Sequence, residues 1–88
     1  MVMPLVTSAE GAVLGATPTA QKFFNLGLMY ATGQSVPTNF VSAHKWLNIA
    51  AMNGSKEAVR LRHEIATEMS EAEIVAAQRA ARDWVTRQ

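Results

Sequence analysis

The sequence contains no cysteine and carries almost no net charge, and both absences exclude classes of function. Without cysteine, the chain has no disulfide, no thiolate metal ligand and no cysteine nucleophile. Eight Lys and Arg residues against seven Asp and Glu residues give a formal net charge of +1, too small to attract nucleic acid or anionic lipid. No apolar run approaches the roughly 18–20 residues of a membrane-spanning helix. We therefore expect neither a nucleic-acid partner nor a membrane span.

The remaining composition is that of one small folded domain. The chain has 88 residues, of which 49% are hydrophobic and 17% are charged, which is too apolar for a disordered segment. Residues 1–16 mix Pro4 and two glycines with scattered apolar residues, so we interpret them as an irregular leader without helical or strand periodicity. No Lys or Arg precedes Lys22, so a secretory signal is not indicated and a cytoplasmic location is expected. The folded domain is expected over residues 17–88.

Beyond the leader, apolar residues recur with the period of an α-helix. Four such segments are separated by helix-ending and helix-capping residues, among them Gly33, Asn53-Gly54 and the capping box of Ser70 and Glu73. No segment alternates with period two over the length of a strand. We predict an all-α fold of four helices, in which helices one and two form an antiparallel hairpin and helices three and four form another. The predicted inward residues are Phe23, Leu26, Gly27, Tyr30, Ala43, Trp46, Leu47, Ala50, Ala51, Ala58, Leu61, Ile65, Met69, Ile74, Ala77, Ala81, Trp84 and Val85.

The first two helices carry the residues of a known repeat pattern, which are Leu26, Gly27, Tyr30, Gly33, Val36, Ala43, Trp46, Ala50, Ala51, Gly54 and Ala58. This segment resembles a Sel-like repeat, a helical hairpin related to the tetratricopeptide repeat. The resemblance implies a solenoid-like right-handed arrangement, with one repeat over about residues 20–55 and a degenerate capping hairpin over about 56–88. Tyr30 and Trp46 are then expected to fill the space between the first two helices. Ser35 stands where the family has a second loop glycine.

The same resemblance implies a function in binding. Members of the family act as adaptors in complex assembly, often in bacteria, and related repeats present the first helix of each hairpin to their partners. Carried over to this chain, this implies a scaffold that binds a partner protein or peptide of unknown identity through helix one. The binding residues would be Lys22, Asn25 and Met29, with Phe24 and Leu28 as apolar anchors that supply most of the affinity.

Helix one also has a second apolar strip, formed by Phe24, Leu28 and Ala31, about 100° around the helix from the first strip. A single hairpin cannot bury both strips. The cover has to come from the leader, from a second copy of the chain or from a partner, and the sequence leaves these three open. A second function class therefore stands beside the adaptor: a structural homodimer, or the C-terminal cap of a larger repeat protein, with no separate ligand.

Nothing in the sequence indicates catalysis, a metal or a cofactor. His44 and His63 lack the further nitrogen, oxygen or sulfur donors that zinc needs, and we interpret both as partly exposed helix residues. Acidic residues of the second half alternate with basic ones, as in the Arg60–Glu64 pair, which is typical of a solvated helix surface. No glycine-rich phosphate loop, nucleophile elbow or His-Glu-x-x-His motif occurs. We therefore do not expect an enzyme.

Overall fold

The computed structural model describes residues 17–88, and all regular secondary structure in this part of the chain is α-helical. It contains four helices, α1 (Pro18–Thr32), α2 (Phe40–Met52), α3 (Lys56–Ala66) and α4 (Glu71–Thr86). The predicted all-α class with four helices is confirmed, and the described residues include no strand. The predicted leader, residues 1–16, lies outside the described residues.

Each helix begins at a polar side chain that accepts a hydrogen bond from a backbone N–H three residues further on. The caps are Thr17, Asn39, Ser55 and Ser70, with donor–acceptor distances of 3.0–3.1 Å. At α4, the Glu73 carboxylate also accepts a hydrogen bond from the backbone N–H of Ser70 at 2.8 Å, which completes the predicted capping box. Local sequence therefore sets where each helix starts.

α1 and α2 form the predicted antiparallel hairpin, and a glycine permits their close contact. Gly27 is buried against α2, where a Cβ atom at this position would lie 2.6 Å from the Leu47 side chain and 3.2 Å from the carbonyl oxygen of Ala43. Leu47 is fully buried, and side chains in protein cores are closely packed, so it cannot move aside without disturbing its neighbours. The two helices thus approach more closely than a larger residue at position 27 would permit.

We expect Gly27→Ala to destabilise the domain, although alanine favours the helical backbone. Overpacking against Leu47 costs about 1–3 kcal/mol, whereas the gain in helix propensity is about 1 kcal/mol. Urea unfolding should therefore show a net loss of about 1 kcal/mol in the free energy of unfolding. In the double variant with Leu47→Ala, the two losses should be less than additive, because the new methyl group fills part of the vacated space. A Gly27→Ala variant at least as stable as the wild type would contradict the close contact.

α2 is the helix on which the other three pack. α1, α3 and α4 each contact α2, whereas α1 and α3 contact each other only weakly. α3 and α4 are consecutive in the chain but are not among the closely packed helix pairs, which differs from the predicted second hairpin. The main cluster of buried residues consists of Ala43, Leu47 and Ala50 on α2 together with Ala58 and Ile65 on α3. The solenoid-like repeat arrangement stays a prediction.

An aromatic cluster explains why α4 packs on the first hairpin. The rings of Phe23 and Trp46 are stacked with centroids 5.7 Å apart, and Trp84 packs edge-on against both, at 5.1 and 5.4 Å. Because α1 and α2 run antiparallel, Phe23 lies level with Trp46. Tyr30 lies at the other end of the hairpin, where its carbonyl oxygen accepts a hydrogen bond from the Asn39 N–H at 3.0 Å. Trp46 therefore packs with Phe23 and Trp84, whereas Tyr30 packs against the buried core further along the hairpin.

Trp84→Ala should destabilise the whole domain, because it removes the α4 contribution to this cluster. Loss of a large aromatic residue from such a site lowers the free energy of unfolding by about 2–4 kcal/mol. Val85, which was predicted to face inward, is instead 41% exposed, so Val85→Ala is the matched control at the next residue and should cost less than about 0.5 kcal/mol. Urea unfolding followed by circular dichroism measures both. Equal losses for the two variants would contradict the role of the cluster in holding α4.

Candidate binding groove between α1 and α3

The five binding residues predicted from the sequence share one side of α1. Successive residues of a helix are about 100° apart, so Lys22, Phe24, Asn25, Leu28 and Met29 cover an arc of about 160°. This arc lies on the side of α1 opposite to the buried Gly27. Phe24 and Met29 are half-buried, and the other three are exposed. The structure thus brings the predicted residues together on the face of α1 that α2 does not cover.

The first part of this arc forms one wall of a groove whose other wall is α3. The groove has a volume of about 460 Å³ and contains Phe24 and Leu28 from α1. Sequence reasoning missed the residues of the second wall, although Leu61 belongs to the predicted inward face of α3 and provided a signal. The remaining lining residues are Gln21, Ser55, Glu57, Arg60 and Leu61.

α3 also supplies part of the cover that the second apolar strip requires. Phe24 and Ala31 pack against the buried core, whereas Leu28 keeps 37% of its surface exposed. The core of the same domain therefore supplies part of the cover at Phe24 and Ala31, both of which stay only half-buried. Which molecule or segment covers the rest of the strip stays a prediction, because the leader lies outside the described residues.

The rest of the arc has no second wall of comparable extent. A depression of about 320 Å³ lies between α1 and the following loop, and another of about 280 Å³ is lined by α1 alone. Leu28 lines both the groove and the first depression, so the two adjoin at this residue. The depressions are lined by Asn25, Leu28, Met29, Gln34 and Ser35 in the first case and by Lys22, Asn25, Leu26 and Met29 in the second.

The charges beside the groove are partly neutralised by ion pairs. On the exposed surface of α3, the Arg60 guanidinium pairs with the carboxylates of Glu57 and Glu64, the latter at 3.8 Å, as the spacing predicted. Such exposed pairs contribute little to stability. Lys22 of α1 forms no ion pair with another residue in the described part of the chain. Among the described residues the groove lining is therefore nearly neutral, and Lys22 adds a positive charge on the adjoining face.

Behind the groove, α3 meets α2 through polar side chains. Arg62 donates a hydrogen bond from Nη1 to Oδ1 of Asn48 at 2.5 Å. His44, one turn before Asn48, is only 3% exposed, so the prediction of a partly exposed residue is wrong for His44, whereas His63 is exposed. The reason is that α3 covers this face of α2, which the periodicity of α2 alone does not reveal. Burial lowers the pKa of His44 below its ordinary value of 6.5, and the positive charges of Arg62 and, less, His63 add to this effect.

The geometry also bears on metal binding and on membrane insertion, and comparison with known proteins suggests no further kind of site. Within residues 17–88, no three His, Asp or Glu side chains are grouped so that they could hold a metal ion. None of the helices α1–α4 combines the length and the apolar character needed to cross a bilayer. Comparison with protein-family models, curated proteins and solved structures gave no match. The groove is therefore the feature on which a functional proposal can be based.

Phe24 and Leu28 should differ in their importance for folding, because only Phe24 packs against the core. Phe24→Ala is expected to lower the free energy of unfolding by about 2 kcal/mol or more, and Leu28→Ala by less than about 1 kcal/mol. Val75→Ala on α4 is the control for an exposed apolar side chain, since Val75 is 45% exposed. Urea unfolding of the three variants gives the comparison. A loss at Leu28 as large as that at Phe24 would show that Leu28 is covered after all.

Proposed function

We propose that this chain is a protein-interaction module, a scaffold or adaptor, that binds an apolar segment of a partner protein in the groove between α1 and α3. The position of Leu28 carries the proposal. Its side chain is 37% exposed inside a groove whose other large apolar residues, Phe24 and Leu61, are half-buried. An apolar side chain inserted there would contact all three residues, as a binding anchor does.

The chemistry of the groove favours an amphipathic helix with an acidic residue beside its apolar face. Because the groove lies between two helices, a third helix can follow it and place apolar residues at i and i+4 against Phe24 and Leu28. The charge of Arg60 is already paired with two glutamates, whereas Lys22 has no ion pair within residues 17–88. A carboxylate of the partner near Lys22 would therefore set its orientation and speed its association.

Two observations support the proposed relation to Sel-like repeats. In an array of helical hairpins, α1 and α3 would be the first helices of successive units, and these are the helices that line the groove. Ser35 has a left-handed backbone with φ 72°, and it stands where the family pattern has glycine, which adopts this conformation most readily. The packing of α4 on the α1–α2 hairpin is a departure from a regular array.

Binding of labelled peptides tests the proposal. The probe is a fluorescein-labelled amphipathic peptide with leucines at i and i+4 and a glutamate beside them, compared with the same peptide carrying lysine. We expect the wild type to prefer the glutamate peptide, and Leu28→Asp to weaken its binding at least about tenfold, because a charge replaces the anchor contact. Lys22→Glu should reverse the preference between the two peptides. Fluorescence anisotropy measures the dissociation constants.

Val75→Asp is the matched control, since it places the same charge at a similarly exposed apolar position on α4. This variant should bind the glutamate peptide as the wild type does. Circular dichroism confirms that each variant is folded before binding is compared. Equal affinities of the Leu28→Asp and Val75→Asp proteins would contradict the proposed groove, and so would a wild type that binds neither peptide.

A structural homodimer, or the C-terminal cap of a larger repeat protein, is the second candidate function. The depression lined by α1 alone favours it, because the half-buried apolar side chains of Leu26 and Met29 lie there and no other helix of residues 17–88 lines it. Light scattering of the purified 88-residue chain distinguishes the candidates. A dimer that dissociates in a Met29→Glu variant would support this second function, whereas a monomer that binds the peptide supports the adaptor.

A further inference from the structure

The interface between α2 and α3 contains a buried ionisable group without a hydrogen-bonding partner on one side of its ring. His44 is 3% exposed, and its Nδ1 atom has no partner among the described residues. Its neighbour Asn48, one turn later on α2, accepts a hydrogen bond from Arg62 of α3. A buried imidazole in such a place is tolerated when it is neutral and becomes costly when it is protonated.

The charged groups near His44 oppose its protonation. From α3, the guanidinium of Arg62 and the imidazole of His63 act on it, and no carboxylate of the described residues offsets them. α1 and α4 contribute no charge that changes its pKa. The pKa of His44 is lowered from 6.5 first by burial and then by Arg62, while a backbone hydrogen bond acts in the opposite direction without cancelling the shift.

α3 depends on α2 for its position. The contacts of α3 with α1 are weak, and α3 is not closely packed on α4. Leu61, Glu57 and Arg60, which form the second wall of the groove, are therefore held in place mainly through the interface that contains His44. Loss of that interface would separate the two walls while the α1–α2 hairpin and its aromatic cluster remain.

We propose that protonation of His44 releases α3 from α2 and thereby dismantles the groove between α1 and α3, which makes binding at this site sensitive to acid. The effect of acid on binding rests on the function proposed above, whereas the release of α3 does not. Since the pKa of His44 is lowered in the folded state, the unfolded or released state binds the proton more readily. The contribution of neutral His44 to the stability of the α2–α3 contact is therefore fully present above the ordinary pKa of 6.5 and is lost as the pH falls from there through the lowered value.

Amide hydrogen exchange tests the release of α3. It is measured by NMR on the whole chain at about pH 7.5 and about pH 5, and the rates are corrected for intrinsic exchange. In the wild type, we expect exchange in α3 to rise several-fold at the lower pH, with little change at the centre of the α1–α2 hairpin. His44→Leu should abolish this rise, and His44→Gln serves the same purpose if the leucine variant does not fold. His63→Gln should retain most of it, because His63 is exposed.

Equal protection of α3 at both pH values would overturn the proposal. An equal rise in exchange along all four helices would also overturn it, because that result indicates global unfolding and not release of one helix. No ligand enters this measurement, so its outcome is independent of peptide binding. If α3 is released by acid but the glutamate peptide does not bind at either pH, the switch stands and the proposed function fails.

Discussion

α1 carries more apolar surface than one neighbouring helix can cover, and the rest of the structure follows from how that surface is shared. α2 covers one side, where Gly27 brings the two backbones together against Leu47. α4 covers an edge of the same side through the aromatic cluster, and α3 covers Phe24. Three helices together still leave Leu28 open, and this remaining gap is the feature that points to a partner.

Because α2 lies at the centre, the other three helices differ in how firmly they are held in the domain. α1 and α4 are tied to α2 and to each other through Phe23, Trp46 and Trp84, so they form the more cohesive part. α3 is held largely by α2 alone, across an interface that mixes small apolar residues with His44 and Arg62. α3 is also one wall of the groove. The helix that completes the proposed binding site is therefore the one that is packed least firmly on the rest of the domain. Binding and regulation would thus act through the same helix.

Local features of this fold could be predicted from the sequence, whereas the helices that pack on one another could not. The four helices, their caps and the capping box of Ser70 follow from short-range hydrogen bonding and periodicity, which depend on residues a few positions apart. Periodicity shows that a face is apolar but does not show which helix covers it. For that reason the five binding residues of α1 stay a prediction, and the sequence did not reveal the position of Leu61 in the groove, the burial of His44 or the contact of Trp84 with the first hairpin. Each of these depends on the path of a later helix.

The groove at Leu28 is the proposed site at which apolar side chains of another protein bind. Chemical-shift mapping of the isotope-labelled 88-residue chain during titration with the glutamate peptide tests it most directly. The largest changes are predicted for Leu28, Phe24 and Leu61, with smaller ones at Lys22, because these groups surround the proposed anchor position. Changes centred on Val75 and the exposed face of α4, with Leu28 and Leu61 unaffected, would contradict the claim.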